Sequence, residues 1–280
     1  MLTIKNDKYT VFWGDSLADV GAWLGATPRQ WRGSSSTEPR NAYSWDLGAS
    51  WSDCLRMARE GWAAGAQRLH EGLAAVLPPT TSHTKLNHSV AGHYADVPKY
   101  LTGLPDNMIT RGKVRGQAPV VSIVVSLTAS GSVDASHYAN FGAAMVAVID
   151  KLEAAGRRVD LYVAFPNAMN YTRAIVGWKV KEAGEHVDLG ALAFSLAHPA
   201  AYRRFGFGLW ERTGAANYTV GYGRCSDLTE EDAALLGIED AWRIDGSFTQ
   251  LHQCTTVEAA LAMVIDKVNT AAGEEVVTRD

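Results

Sequence analysis

The sequence predicts an α/β fold: a mostly parallel sheet flanked by helices, joined to an α-rich N-terminal region. Three observations predict it. Residues 118–126, "APVVSIVVS", form a continuous β-branched run of the kind shown by a strand buried on both faces. Behind it, Phe141, Met145, Val148 and Leu152 recur at helical spacing up to Gly156, and "RRVDLYVAF" follows as a second apolar strand. That order fits a right-handed strand–helix–strand crossover. Finally, six of the nine tryptophans (Trp13, Trp23, Trp31, Trp45, Trp51 and Trp62) crowd the first 62 residues, ahead of the alternating pattern. They read as anchors of a small N-terminal core, or as an aromatic contact surface.

The elements follow in order. A short strand at 9–13 leads into a helix from Ser16, with Ser16 as N-cap, Asp19 three residues on, and Leu17, Val20 and Leu24 facing inward. A polar stretch, "RGSSSTEPRNAY", is a loop. A long helix with Leu55, Trp62, Leu69, Leu73 and Val76 then runs to Pro78-Pro79. Residues 85–107 read as a strand and an ordered loop shaped by Pro98, Gly103 and Pro105. Beyond the crossover, a third strand is expected at 171–180 and a helical pair split at Pro199. "LTEEDAALLG" is a capped helix and "AWRID" a strand. The last helix opens with a Thr255-x-x-Glu258 capping box, and the tail "EEVVTRD" is expected to fray. Two regions result, 1–117 and 118–280, or one compact unit containing both.

At 280 residues the chain can bury a full core. It is 47% apolar and 20% charged, with 26 Lys and Arg against 30 Asp and Glu, so no basic footprint points to nucleic acid. No apolar stretch has the length of a membrane span or of a signal-peptide core, and a cytoplasmic setting is expected. Cys54, Cys225 and Cys254 are scattered and read as buried thiols. His83, His88 and His93 share the face of neither a helix nor a strand, and hydrogen-bonding roles suit them better than metal binding. His198 falls at a helix junction. Arg203 and Arg204 with Lys179 and Lys181 read as a solvated face or a small basic patch.

Two stretches bear on chemistry. "FWGDSLADVG" resembles the nucleophile block of GDSL esterases and lipases, which implies a serine hydrolase using Ser16. The family's Gly-x-Asn-Asp block is missing, and the sole Asp-x-x-His is Asp134–His137, in mid-chain. His252, seven residues after Asp245, is a second off-pattern base. The competing reading of Ser16 is a helix start.

The second stretch is "VVSIVVSLTASGSVDASHYANFGAAMVAVIDKLEAAGRRVDLYVAF", which is similar to the opening of a von Willebrand factor A (VWA) domain. The resemblance covers residues 118–272 and implies a VWA-like or Rossmann-like sheet. At its carboxyl edge an oxygen-lined crevice would take a Mg²⁺ ion and a partner's carboxylate. Ser126, Thr128 and Ser130 stand at the matching positions, without the leading carboxylate, and the "RIDG" containing Asp245 resembles a later strand end of that family. The expectation is therefore a degenerate crevice with no cofactor, Mg²⁺ remaining admissible.

Four phrases, "FWGDSLADVGAWL", "WSDCLRMAREGWAAGA", "SVAGHYADVPKYLTGLPDNMI" and "VDLGALAFSLAHPAAYRRFGFGLWER", together resemble an uncharacterised family of tailed-bacteriophage proteins. This resemblance implies a host-cytoplasmic or virion setting and singles out the loop with Asp96, Pro98 and Tyr100. The expected function is a non-enzymatic one: binding a protein partner, with a homo-oligomer admissible and no membrane involved. The alternatives are the Ser16 hydrolase and a self-assembling structural phage protein.

Overall fold

A computed structural model describes residues 1–30, 36–37, 43–76, 86–90, 94–111, 119–169, 172–215, 224–246 and 248–278. Trp31, Pro78, Pro79, His83 and His93, and most of the "RGSSSTEPRNAY" loop, lie outside them. The chain divides into two compact units, residues 1–77 with 120–280, and residues 78–119. The division does not fall at 117/118, because strands from the N-terminal region belong to the same sheet as the later ones.

The larger unit opens with β1 (Leu2–Lys5) and β2 (Tyr9–Gly14), then α1 (Leu17–Ala26), α2 (Tyr43–Asp46), α3 (Trp51–Glu60) and α4 (Ala63–Val76). Ser16 caps α1 by accepting the Asp19 N–H at 3.1 Å, and Leu17, Val20 and Leu24 are buried, as their spacing predicts. The helix expected to run unbroken to Pro78 is interrupted at Gly61. There φ is +77°, and a Cβ would lie 2.9 Å from the Gly190 Cα, so two backbones touch where only glycine fits.

After β6 (Val120–Ser126) come α6 (Ala135–Ala154), β7 (Arg158–Met169) and β8 (Thr172–Lys181). Then follow α7 (Leu189–Leu192), π-helical turns at Ala193–Ala197 and Ala201–Gly206, and α8 (Phe207–Thr213). The unit closes with β9 (Arg224–Cys225), α9 (Glu230–Leu235), β10 (Trp242–Asp245), α10 (Phe248–Gln253) and α11 (Val257–Ala272). Among the described residues the sheet has seven strands, in the order β1-β2-β8-β7-β6-β10, with β9 paired to β7.

This sheet is α/β but mixed, not mostly parallel. β10 with β6, β6 with β7, and β2 with β8 are parallel; β1 with β2, β7 with β8, and β7 with β9 are antiparallel. Only two residues separate Met169 from Thr172, too few for a crossover, so β8 has to run back along β7. Helices α1, α4, α6 and α11 bury one face together with the 193–213 segment, and α9 lies on the other against Val11, Val124, Ala164 and Ile175.

Several expectations change in detail. Helix α11 is capped by Thr256, not by a Thr255–Glu258 box. The tail is held rather than frayed: the Asn269 side chain accepts the Val276 and Val277 N–H groups at 2.9 and 3.0 Å, and Val277 is buried. The basic patch does not form. Arg203, Arg204 and Lys181 are buried, and Lys181 pairs with Glu153 at 2.7 Å. Cys54 and Cys254 are buried as expected, but Cys225 is exposed. Trp13 is buried and Trp23, Trp45, Trp51 and Trp62 are half-buried against the core, so the described N-terminal tryptophans pack inward.

His198 stands at the expected junction, buried, with Nδ1 accepting the Ala200 N–H at 3.1 Å and its ring edge-on to Trp62. Burial, assisted by the Arg68 cation, pushes its pKa down to about 4. The unfolded chain takes up this proton near pH 6.5 and the folded chain only near pH 4. Stability is therefore complete above pH 6.5 and falls as pH drops toward 4, by on the order of 3 kcal/mol for such a shift. Urea unfolding across this window should show that extra slope in the wild type and lose it in His198→Asn. Parallel curves would contradict the assignment.

Candidate ligand crevice at the carboxyl edge of the sheet

Strands β6 and β10 end side by side. Asp245 is the register partner of Ser126, and the Gly246 N–H donates to the Ser126 carbonyl at 2.7 Å. A Cβ on Gly246 would come within 2.9 Å of Leu127 and of that carbonyl, so the glycine lets the two strand ends close. Ser126 and Asp245, far apart in sequence, thus meet where open α/β sheets bind ligands.

The hydroxyls at this edge are engaged by the chain itself. Ser126 Oγ accepts the Leu228 N–H at 3.1 Å, and Thr128 Oγ1 donates to the Ser226 carbonyl at 3.0 Å; both side chains are buried. Together they strap residues 226–228 across the crevice. Ser130 lies at the rim, 3.2 Å from the Ser132 hydroxyl. Asp245 is half-buried, and its Oδ1 is enclosed without a hydrogen-bond partner. Burial raises its pKa, and the neighbouring Asp227 carboxylate adds to the rise. Among the described residues no group of three His, Cys, Asp or Glu is placed to hold a metal ion.

The structure does not bring the hydrolase candidates together. Ser16 follows β2, which runs opposite to β6 and lies three strands from it, about 14 Å sideways at ordinary spacing. Its hydroxyl donates to Asp19 Oδ2 at 2.7 Å. Asp134 is exposed at the start of α6, where it makes no side-chain cap. His137 packs edge-on against His252, ring centroids 5.8 Å apart, and among the described residues its buried Nδ1 has no partner.

Sequence reasoning missed a polar layer beside the crevice. Asn167 has the parity of Val159, Leu161, Val163 and Phe165, so its side chain is on the main core face. It is 0% exposed, and among the described residues neither amide atom has a hydrogen-bond partner. The Tyr138 hydroxyl is likewise buried and unpartnered, and burial pushes its pKa up to about 12. Cys225 pairs with Asn167 across the β7–β9 ladder, and its Sγ lies 3.7 Å from the Tyr202 hydroxyl. The one signal in the sequence was an asparagine on the inward parity of an apolar strand.

In the smaller unit, β3 (Leu86–Ser89), β4 (Tyr94–Ala95) and β5 (Met108–Arg111) form a sheet in the order β3-β5-β4, with α5 (Val97–Leu101) between β4 and β5. Asp96 caps α5 by accepting the Lys99 N–H at 3.2 Å and meets His88 Nε2 at 2.8 Å. Pro98 sits in the first turn. Leu104 N–H bonds to the Lys99 carbonyl and Gly103 N–H to that of Tyr100, with Gly103 at φ +72°, which closes α5 as a Schellman turn. Tyr100 is exposed on it.

Two substitutions test the crevice. Thr128→Val leaves the part-buried Ser226 carbonyl without its donor and should cost about 1 kcal/mol of unfolding free energy. Asn167→Leu replaces two unpartnered polar atoms by methyl groups with the same branching and should leave stability unchanged or raise it. A neutral Thr128→Val would remove the strap from the account, and a clearly destabilised Asn167→Leu would mean the amide is satisfied.

Among the described residues no helix is long and apolar enough to cross a membrane. No curated protein matches the chain, and no solved structure does. The model of a family described as a domain of unknown function (DUF7192) matches residues 6–263, and the chain belongs to that family.

Proposed function

We propose that this protein acts by binding another protein, without catalysis, and that the exposed face of α5 is its contact. One observation carries the reading. Val97, Tyr100 and Leu101 are spaced i, i+3 and i+4 on α5, Leu104 follows in its closing turn, and the four are 60, 64, 77 and 46% exposed. The Asp96 cap and the Schellman turn fix the backbone beneath them. Apolar side chains held at helical spacing in water mark contact sites, and an apolar cleft in a partner is the complementary surface.

The VWA-like reading of the larger unit draws support from the β6–α6–β7 order and from Asp245 standing beside Ser126. The resemblance to tailed-phage proteins would imply a partner in a host cytoplasm or a virion. Self-assembly through the same face is the competing reading.

A photo-crosslinking amino acid at Tyr100, in the full chain expressed in its own cellular setting, tests the proposal. The expected result is one discrete adduct with a different protein, absent when the crosslinker replaces the exposed Glu185. An adduct only with a second copy would favour self-assembly. No adduct, or the same pattern from Glu185, would contradict the contact.

A further inference from the structure

Strand β10 ends the sheet. Its Gly246 neighbour bonds inward to Ser126, and in a parallel ladder alternate residues turn the same way. Trp242 and Ile244 therefore address β6, while the N–H and C=O groups of Arg243 and Asp245 point outward. Among the described residues no strand pairs with that side. A groove of about 820 Å³ runs along it, walled by α9 with the following turn on one side and by α11 on the other.

The groove is acidic. Arg243 is neutralised by Glu230 at 3.1 Å. That leaves Glu239 and Asp240 on one wall, Asp266 on the other and Asp245 on the floor, against Lys267. Charged edges deter chance pairing between sheets, but here the edge lies in a trough rather than on a flat rim. The trough leaves open main-chain donors and acceptors with carboxylates on both sides.

We propose that this groove accepts an extended, lysine- or arginine-bearing segment of a partner protein, added as a strand alongside β10. Main-chain bonds to Arg243 and Asp245 would set its register, and cationic side chains at successive positions would turn in alternation to the carboxylates of the two walls. Asp245 lies on the floor of the groove, so its carboxylate adds to the negative field that the incoming chain meets. The proposal does not depend on the α5 contact.

The test uses the full chain and a fluorescent octapeptide in which lysine pairs alternate with valine pairs, so that each wall meets lysines. Its glutamate counterpart and a version N-methylated at alternate backbone nitrogens serve as controls. The lysine peptide should bind and should slow amide exchange at Arg243 and Asp245, while the glutamate peptide should not bind. Affinity should fall by about tenfold or more on backbone methylation, which deletes strand donors, and again in the Glu239→Lys, Asp266→Lys double variant. Both substituted side chains are exposed, so an unchanged melting temperature is expected. Absence of binding would overturn the proposal. Equal binding of the methylated peptide would also do so, since that is attraction between charges without strand addition, as would equal binding by the double variant.

Discussion

Buried guanidinium groups on one helical stretch organise the larger unit. Arg203, Arg204 and Arg212 are all buried, and each can stay charged there only by donating to fixed acceptors. Arg204 is held by Asp46 at 2.5 and 3.0 Å and by the Ser36 carbonyl at 3.0 Å. Arg203 donates to the carbonyls of Trp45, Ser130 and Val133 and lies 4.7 Å over the Trp45 ring. Arg212 reaches the Thr27 carbonyl at 2.8 Å and stacks on Trp51. Because burying these cations is costly without their acceptors, segments near 27, 36, 45 and 130 are constrained together. Consecutive residues of a helical turn face different directions, so Arg203 and Arg204 serve different partners.

That constraint reaches the crevice. Arg203 fixes the turn at Ser130–Val133 just after the loop whose Ser126 and Thr128 hydroxyls strap residues 226–228. The edge is thus built from polar groups that mostly satisfy one another. The exceptions are Asn167, Tyr138 and one oxygen of Asp245, which the described residues leave without partners. The apolar stripe on α5 has the opposite character: its backbone is fully framed and its side chains meet water. Ordered backbone beneath exposed apolar groups is the physical basis for reading that face as a contact.

Much of the fold was legible because periodicity is written in single residues. The β-branched run of β6, the stripe of α6 up to Gly156, and the Thr229 cap of α9 all lie where spacing predicts. What was not legible depended on partners remote in sequence. The break at Gly61 is set by Gly190, the direction of β8 by the length of its connection to β7, and the hold on the tail by Asn269. At the candidate site, the pairing of Ser126 with Asp245 was readable from two strand ends. Their engagement with Ser226 and Leu228 was not, because hydroxyl partners leave no local pattern. Arg203 and Arg204 looked like surface charge, since nothing nearby in the sequence announces the carbonyls that receive them.

Hydrogen exchange on Arg203→Met tests the organising role of these guanidinium groups most directly. If Arg203 ties the two segments, amides of residues 43–46 and of 130–133 lose protection together, while β6 and β7 keep theirs. Unchanged protection at both segments, or loss spread evenly over the whole sheet, would contradict the account.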